Sequence, residues 1–385
     1  MKNTGIIGKL KIVRDPSTAP KQVRLAQDDR LYKNMTADTT ATPRSLGFRM
    51  PAEWVRHDAT WLTWPRPEGI SFPDAFETIP STWAGLAKLL AEGEQVHINV
   101  FSPEHEIDIR AALKKADAPV DTRIHLHPFP AYEPWCRDHG PIFVRNEREM
   151  AIVDWRYNAW GGKYPPCDLD DDVPQHVAKL LGLRLFSPPM ILEGGSIEVN
   201  GESTLLTTEA CLLNKNRNPN LTQKQIETYL RDYLGVEQIL WLGEGIVGDD
   251  TDGHIDDLTR FVDANTMVTI VEEDPADENY ALLRENSKRL AAMRDPQGKP
   301  WRIVDLPTPG YVEKDGQRLP ASYANFYIAN EVVIIPGFNH PNDTKARDIL
   351  QRLFPTRRVV LWPALDLIWG LGAFHCITQQ QPGLS

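Results

Sequence analysis

The sequence predicts an α/β fold, and three observations carry that expectation. Five times a capped helical stretch runs into a β-rich segment. Further strand-like runs fill the intervals between these pairs. Hydrophobic residues make up 41% of the chain and charged residues 25%, the balance of a packed globular protein. With 385 residues the chain can bury a sizeable core, as one large domain or two ordinary ones.

The elements follow in order. Ser81 opens a helix ending near Gly93, ahead of a strand over Val96–Phe101. Asp172, with Pro174 in the first turn, opens one ending near Gly182, before Leu183–Phe186. Thr222 and Gln225 read as a capping box for a helix ending near Gly235, before Gln238–Leu242. Asp274-Pro275 opens a longer helix ending near Pro296, before Trp301–Leu306. Asp343 opens the last, ending near Phe354, before Val359–Trp362. Strand-like runs lie between, at Thr60–Trp64, Pro141–Arg145, Met150–Trp155, Ser203–Thr208, Leu258–Val262, Thr266–Val271 and Tyr323–Ile335. Each unit therefore reads as strands, a helix and a closing strand. Two architectures fit: five units closed in a ring around a central channel, or a doubly wound sheet. No Gly-rich phosphate loop follows a strand, which removes the usual nucleotide reading of the second.

The net charge of −11 argues against a nucleic-acid partner and mildly favours a cationic substrate. Cys136, Cys167, Cys211 and Cys376 match neither a zinc motif nor a small disulfide framework, so free thiols in the reducing cytoplasm are expected. No apolar run approaches the roughly 20 residues of a membrane span. The N-terminus has one early Lys but only Gly-Ile-Ile-Gly where a signal peptide needs an apolar core. Residues 1–47 read as a polar tail or extension, with Met35 an alternative start nearer the globular patterning.

The candidate reactive residues keep the rhythm of the units. Asp138 lies between the first two helices, Glu193 after the second unit's closing strand, His254 and Asp256 after the third, and Cys376 after the fifth. Cys376 follows a glycine turn, Gly370-Leu371-Gly372, which lets backbone approach a ligand closely; the alternative is a small buried core residue. His254 and Asp256 are two apart, so both side chains face one way in an extended segment. Their alternatives are a solvated acidic loop or a metal site. Asp138 sits in Trp135-Cys136-Arg137-Asp138-His139-Gly140-Pro141, where a carboxylate and an aromatic ring suit a planar cation; the alternative is a surface Arg–Asp turn. Glu193 stands between apolar residues and a glycine pair, and is either partly buried with a partner or a strand-end surface residue. Asn158 to Lys163 reads as a mobile flap with Trp160 over a ligand, and His375 as structural or as tuning Cys376. A Cys, a His and carboxylates are the parts needed for nucleophilic attack on a cationic carbon.

Eight segments in order carry a family resemblance: Met50 to Trp54, Trp135 to Pro141, Asn158 to Lys163, Leu192 to Ile197, Leu213 to Pro219, Thr251 to Asp256, Ala321 to Asn330 and His375 to Pro382. Over roughly residues 48–382 the chain resembles the agmatine deiminase and bacterial peptidyl-arginine deiminase-like family of the guanidino-group modifying superfamily. The resemblance implies a five-bladed α/β-propeller of pseudo-fivefold ββαβ units around a central active-site channel, with residues 48–385 as one catalytic domain. It implies Cys376 as nucleophile, His254 as general acid/base, Asp138 and Asp256 as guanidinium-binding carboxylates, and Glu193 as the partner positioning His254. Trp135 and Trp160 would help bind substrate. The implied reaction is hydrolysis of agmatine to N-carbamoylputrescine and ammonia, with no metal or organic cofactor, and a homo-oligomeric state is left open. Deimination of peptidyl arginine and guanidine binding without turnover are the alternatives. One departure stands out: the family pattern Gly-Gly-Gly-Asn-Ile-His-Cys is here Gly370-Leu371-Gly372-Ala373-Phe374-His375-Cys376.

Overall fold

The computed structural model describes residues 41–72 and 75–384. Residues 1–40 of the expected tail, and the alternative start at Met35, lie outside the described residues. From Thr42 onward the chain forms one compact unit. It enters through a 3₁₀ turn, Arg44–Leu46, that ends on Gly47 in the left-handed region at φ 78.

Among the described residues the strands form five small mixed sheets and one short hairpin. In the first, β1 (His57–Thr63) runs parallel to β2 (Gln95–Asn99) across helix α1 (Ile79–Leu90). Helix α2 (Pro103–Lys115), capped by Ser102, leads to a further parallel strand, β3 (Ile124–His127). Neither α2 nor β3 was apparent in the sequence pattern. The second sheet pairs β4 (Ile142–Arg145) antiparallel with β5 (Met150–Val153), which runs parallel to β6 (Arg184–Phe186) across α3 (Val173–Leu181). The third repeats this with β7 (Glu198–Val199), β8 (Thr204–Thr208), α4 (Gln223–Leu234) and β9 (Gln238–Leu242). The fourth uses β10 (Thr259–Asp263), β11 (Thr266–Val271), α5 (Asn279–Ala292) and β12 (Arg302–Pro307). After the hairpin of β13 (Glu313–Lys314) and β14 (Gln317–Arg318), the fifth uses β15 (Tyr327–Ile328), β16 (Val332–Gly337), α6 (Asn342–Leu353) and β17 (Arg358–Pro363). The C-terminal strand β18 (Thr378–Pro382) then pairs antiparallel with β1 and gives the first sheet the same pattern as the others. Every sheet is thus an antiparallel pair followed by a helical crossover to a parallel strand, the connection that parallel pairing requires.

Local chemistry explains these elements. The capping box of Thr222 and Gln225 forms as expected, and α4 stops at Gly235 in the left-handed region. Helix α5 begins at Asn279 rather than at Asp274-Pro275. Asp274 accepts from the Ala276 amide at 2.9 Å and Asp277 from the Asn279 amide at 2.8 Å, so each carboxylate closes a turn of its own before the helix starts. The run Tyr323–Ile335 is not one strand. It splits into β15 and β16 around a turn, and the part before Tyr327 is irregular. Strand β18 was missed because Gln379-Gln380-Gln381 carries no apolar alternation. These glutamines are buried and bonded inward: Arg137 donates to Gln379 and Gln380, both at 2.6 Å, and the Trp61 indole to Gln381 at 2.9 Å.

The apolar core lies between helices and sheets, with Trp83, Leu86 and Leu90 of α1 packed beside Val96 and Ile98 of β2. Strands such as β11 and β16 are buried nearly throughout, as expected of sheets covered on both faces. The segment entering the first strand of each sheet is a tight turn. These turns are Cys136–His139 before β4, Gly194–Ser196 before β7, Ile255–Asp257 before β10, Ser322–Asn325 before β15, and the residues up to Cys376 before β18. Every sequence-predicted catalytic residue lies in or beside one of them.

Candidate active site

Three of these turns meet at Gly195. A Cβ built there would lie 2.6 Å from His254 Nδ1, 2.8 Å from Asp138 Oδ1 and 3.1 Å from Asp256 Oδ2. The backbone is therefore pressed against three candidate side chains, and only a residue without a side chain fits. The Gly195 amide donates to Asp138 Oδ1 at 3.0 Å, and the Trp160 indole donates to Oδ2 at 2.9 Å. Burial pushes the Asp138 carboxyl up to about 6; His254 opposes this and Asp256 adds to it. The surface-turn alternative falls, since Asp138 is 6% and its neighbour Arg137 2% exposed.

His254 and Asp256 are fully buried, which removes the solvated-loop alternative. His254 Nδ1 lies 3.7 Å from Asp138 Oδ1, and neither ring nitrogen has a hydrogen-bond partner. Burial disfavours its charged form, but Asp138, Cys211 and Asp256 outweigh that and hold its pKa well above the ordinary value. Asp256 Oδ2 is 2.7 Å from His375 Nδ1 and 3.8 Å from Cys376 Sγ, while its Oδ1 has no partner. Burial pushes Asp256 up, yet His375, His254 and Arg260 bring it below the usual carboxylate range.

Cys376 is buried at 5% exposure, but among polar groups. Asn325 Nδ2 donates to its sulfur at 3.0 Å and to Asp257 at 2.9 Å. Burial pushes the thiol well above its ordinary value, with Asp256, Asp257 and Asp138 adding to the effect. A cation brought beside these carboxylates would work in the opposite direction. Trp135 lines the nucleophile turn and donates to Ser71 at 2.9 Å. A Cβ at Gly372 would lie 2.4 Å from its ring and 3.0 Å from the Cys376 Cβ, so this glycine is needed for the close approach. Leu371, at the departure from the family pattern, has φ 70, a conformation glycine adopts without cost. Ala373 and Phe374 are buried in the core.

Glu193 is fully buried and its surface alternative falls. Its hydrogen-bonded partner is Arg217, whose Nε donates to Oε1 at 2.7 Å; Oε2 has no partner. Arg217 also donates to Asp252 and to the Thr251 carbonyl, so it ties Glu193 to the segment leading into His254. The expected flap is pinned: Trp160 is buried and bonded to Asp138, and Asn158 accepts from the Gly161 amide at 2.8 Å. Ala159 and Trp160 both have φ 53, a strained pair that these bonds hold in place.

Behind the site lies a buried ionic group that the sequence reading did not place. Glu53 accepts from His375 at 2.7 Å, Arg260 at 2.9 Å and Arg137 at 3.4 Å, and Arg260 also donates to Glu198 at 2.8 Å. His375 therefore bridges Asp256 and Glu53. A surface cavity of about 810 Å³, lined by Arg49, Trp54, Arg145 and Asn200 among others, contains none of the candidate residues.

This geometry has a counterpart in known proteins. Residues 49–382 match the family model of the Porphyromonas-type peptidyl-arginine deiminases. The chain belongs to this family. It is 39% identical over 371 residues to the agmatine deiminase of Pseudomonas aeruginosa (strain LESB58), spanning 90% of this chain and 98% of the relative. The solved agmatine deiminase of Enterococcus faecalis is 33% identical, with a TM-score of 0.84 over 90% of this chain and 98% of that one. A substrate-bound Cys-to-Ser variant of the C. jejuni agmatine deiminase is 29% identical, with a TM-score of 0.79 over 87% of this chain and 96% of that one. Family members of this kind share the α/β fold described above.

Proposed function

We propose that the chain is a guanidine iminohydrolase that converts agmatine and water to N-carbamoylputrescine and ammonia. One observation carries the reading: two buried carboxylates, Asp138 and Asp256, converge with His254 around Gly195, the Cys376 sulfur lies 3.8 Å from Asp256, and Asp256 keeps one oxygen without a partner. Such a gap is suited to a planar cation that donates to both carboxylates at once. The agmatine deiminases reported above, aligned over nearly their whole lengths, support the substrate.

In this reading Asp138 and Asp256 hold the guanidinium with its central carbon beside the Cys376 sulfur. The positive charge offsets the carboxylates that keep the thiol protonated, so the thiol loses its proton to bulk solvent as substrate binds. The thiolate adds to the carbon. His254 donates a proton to the departing nitrogen, and ammonia leaves an S-alkylthiouronium. His254 then takes a proton from water and hydroxide adds to the carbon; collapse breaks the carbon–sulfur bond, the hydroxyl proton passes to the departing sulfur, and the urea is formed. Proton transfer of this kind contributes about 10²–10⁴ in rate. Glu193 acts on His254 through Arg217, which bonds both the Glu193 carboxylate and the Thr251 carbonyl in the segment leading into His254. Trp135 and Trp160 form walls. The five sheets, alike in topology, are read as the blades of an α/β-propeller with residues 48–385 as one catalytic domain. The four unpaired thiols fit the cytoplasmic location expected from the sequence.

Trp135, Trp160, Asp138 and Cys376 are each at most 7% exposed, which favours a short free guanidine over the interior of a peptide. The test is side-by-side kinetics on agmatine, arginine and peptidyl arginine, reading ureido product and ammonia. Agmatine is expected to exceed arginine at least tenfold in kcat/KM, about 1.4 kcal/mol. Product from a peptide and none from agmatine would overturn the substrate assignment; no product from any guanidine would overturn the enzyme.

A further inference from the structure

Cys211 takes no part in the mechanism above, yet its placement is distinctive. It lies in the helical turn Glu209–Leu212, whose cap is Thr208: the Cys211 amide donates to the Thr208 hydroxyl at 3.3 Å, and that hydroxyl donates to the Gly253 carbonyl at 2.6 Å. The turn is thereby fixed to the residue preceding His254. Among the described residues, ligand atoms of Glu193, Cys211 and His254 all lie within 4.8 Å of one another, and all three residues are buried. Two of them have unused capacity. Glu193 Oε2 and both ring nitrogens of His254 have no hydrogen-bond partner.

We propose that Glu193, Cys211 and His254 form a binding site for a borderline-soft divalent ion, Zn²⁺ in particular, and that its occupation switches the enzyme off by capturing His254. The inhibitory half of this statement rests on the role given to His254 above; the binding half does not. The donor set is one thiolate, one imidazole and one carboxylate, which suits Zn²⁺ better than Mg²⁺ or Ca²⁺. Zinc bonds of about 2.0–2.3 Å place tetrahedral ligands roughly 3.5 Å apart, a contraction of about 1 Å from the present spread. Water would take the fourth position. Arg217, already bonded to Glu193 Oε1, would orient the carboxylate and leave Oε2 to bind the metal. Binding forms a metal–sulfur bond with loss of the thiol proton to buffer. It also requires His254 in its neutral form, so any proton on the ring is released with it. No electron transfer is involved.

Two measurements separate binding from inhibition. Co²⁺ is titrated into the Cys376→Ser protein, which removes the nucleophile as a competing thiolate. One equivalent is expected to give a near-ultraviolet sulfur-to-metal band and the visible bands of a tetrahedral site, and the sulfur band is expected to vanish in Cys376→Ser/Cys211→Ser. In the otherwise native enzyme, Zn²⁺ is expected to inhibit reversibly, with activity restored by EDTA. Cys211→Ser is expected to raise the half-inhibiting Zn²⁺ concentration at least tenfold relative to that variant's own metal-free rate. A sulfur band that survives Cys211→Ser, or no band at all, would overturn the site. Binding with the expected spectrum but no effect on ammonia release would overturn the inhibitory half. If the deiminase reading itself failed, the cobalt spectrum would still report on the site.

Discussion

Replacing Gly195 by alanine puts one methyl group into the centre of the site. The backbone there is not in the left-handed region, so alanine is allowed conformationally and the effect is steric. The new Cβ would sit 2.6 Å from His254 Nδ1 and 2.8 Å from Asp138 Oδ1, against an ordinary contact of 3.4 Å or more. His254 must therefore retreat by about 0.8 Å and Asp138 by about 0.6 Å, along directions roughly at right angles as seen from the added carbon. Misplacement by about 1 Å costs on the order of 10²-fold in rate, or about 2.7 kcal/mol of transition-state stabilisation. Overpacking of this kind costs roughly 1–3 kcal/mol of stability, which a domain of this size can absorb. The assay is kcat/KM on agmatine, with thermal denaturation in parallel to show that the variant is folded. A folded Gly195→Ala enzyme with kcat/KM within threefold of the native value would refute the convergence of His254, Asp138 and Asp256 on this point.

Three further outcomes are expected. Cys376→Ser should retain agmatine binding by calorimetry and lose nearly all turnover; measurable steady-state hydrolysis would exclude Cys376 as nucleophile. Leu371→Ile should lower stability by roughly 1–2 kcal/mol, because a β-branched residue fits φ 70 poorly, while Leu371→Gly should leave the turn and its activity intact; thermal midpoints of the pair provide the check. Asp138→Asn should be more stable than the native protein at pH 8 and no more stable near pH 4. Burial raises the Asp138 pKa to about 6, so its stabilising neutral form is fully populated below the ordinary carboxylate value and is lost as pH rises through about 6. Removing the ionisable group should then recover roughly 1–3 kcal/mol at pH 8, read from denaturant curves at both pH values, while kcat/KM falls.

The unit pattern was legible because capping chemistry is local. Thr222 with Gln225, Gly235 and Gly182 mark helix ends that tertiary contacts do not move. Where several aspartates compete, as at Asp274 and Asp277, sequence does not say which one caps the helix and which closes a turn. The candidate residues came from motif chemistry, and their rhythm left one position without a candidate. Candidates precede the first strand of four sheets, and the fifth position holds Asn325, the residue bonded to the Cys376 sulfur. A neutral Asn among apolar residues gave no chemical signal of its own, and the sequence reading left that position of the repeat unfilled. Gly195 was seen only as part of a glycine pair; that its Cβ position is occupied on three sides is a tertiary fact. The same holds for Glu53, Arg260 and His375, which are far apart in sequence and meet only in the folded chain.

The buried charges of the site explain why it should act on a cation and release a neutral product. Arg137 and Arg260 answer Glu53 and Glu198, Arg217 answers Glu193, and His375 lies between Glu53 and Asp256. Among the described residues Asp138 and Asp257 have no arginine of their own, and burial pushes both up. A guanidinium bound beside Asp138 would supply the missing positive charge, and the same charge lowers the cost of ionising Cys376. In the proposed mechanism binding and activation are one electrostatic event, since the carboxylates that raise the thiol pKa are those a guanidinium would offset. Hydrolysis turns the guanidinium into a neutral urea. The attraction that held the substrate is lost at that step, the carboxylates again favour a protonated thiol, and the product is free to leave.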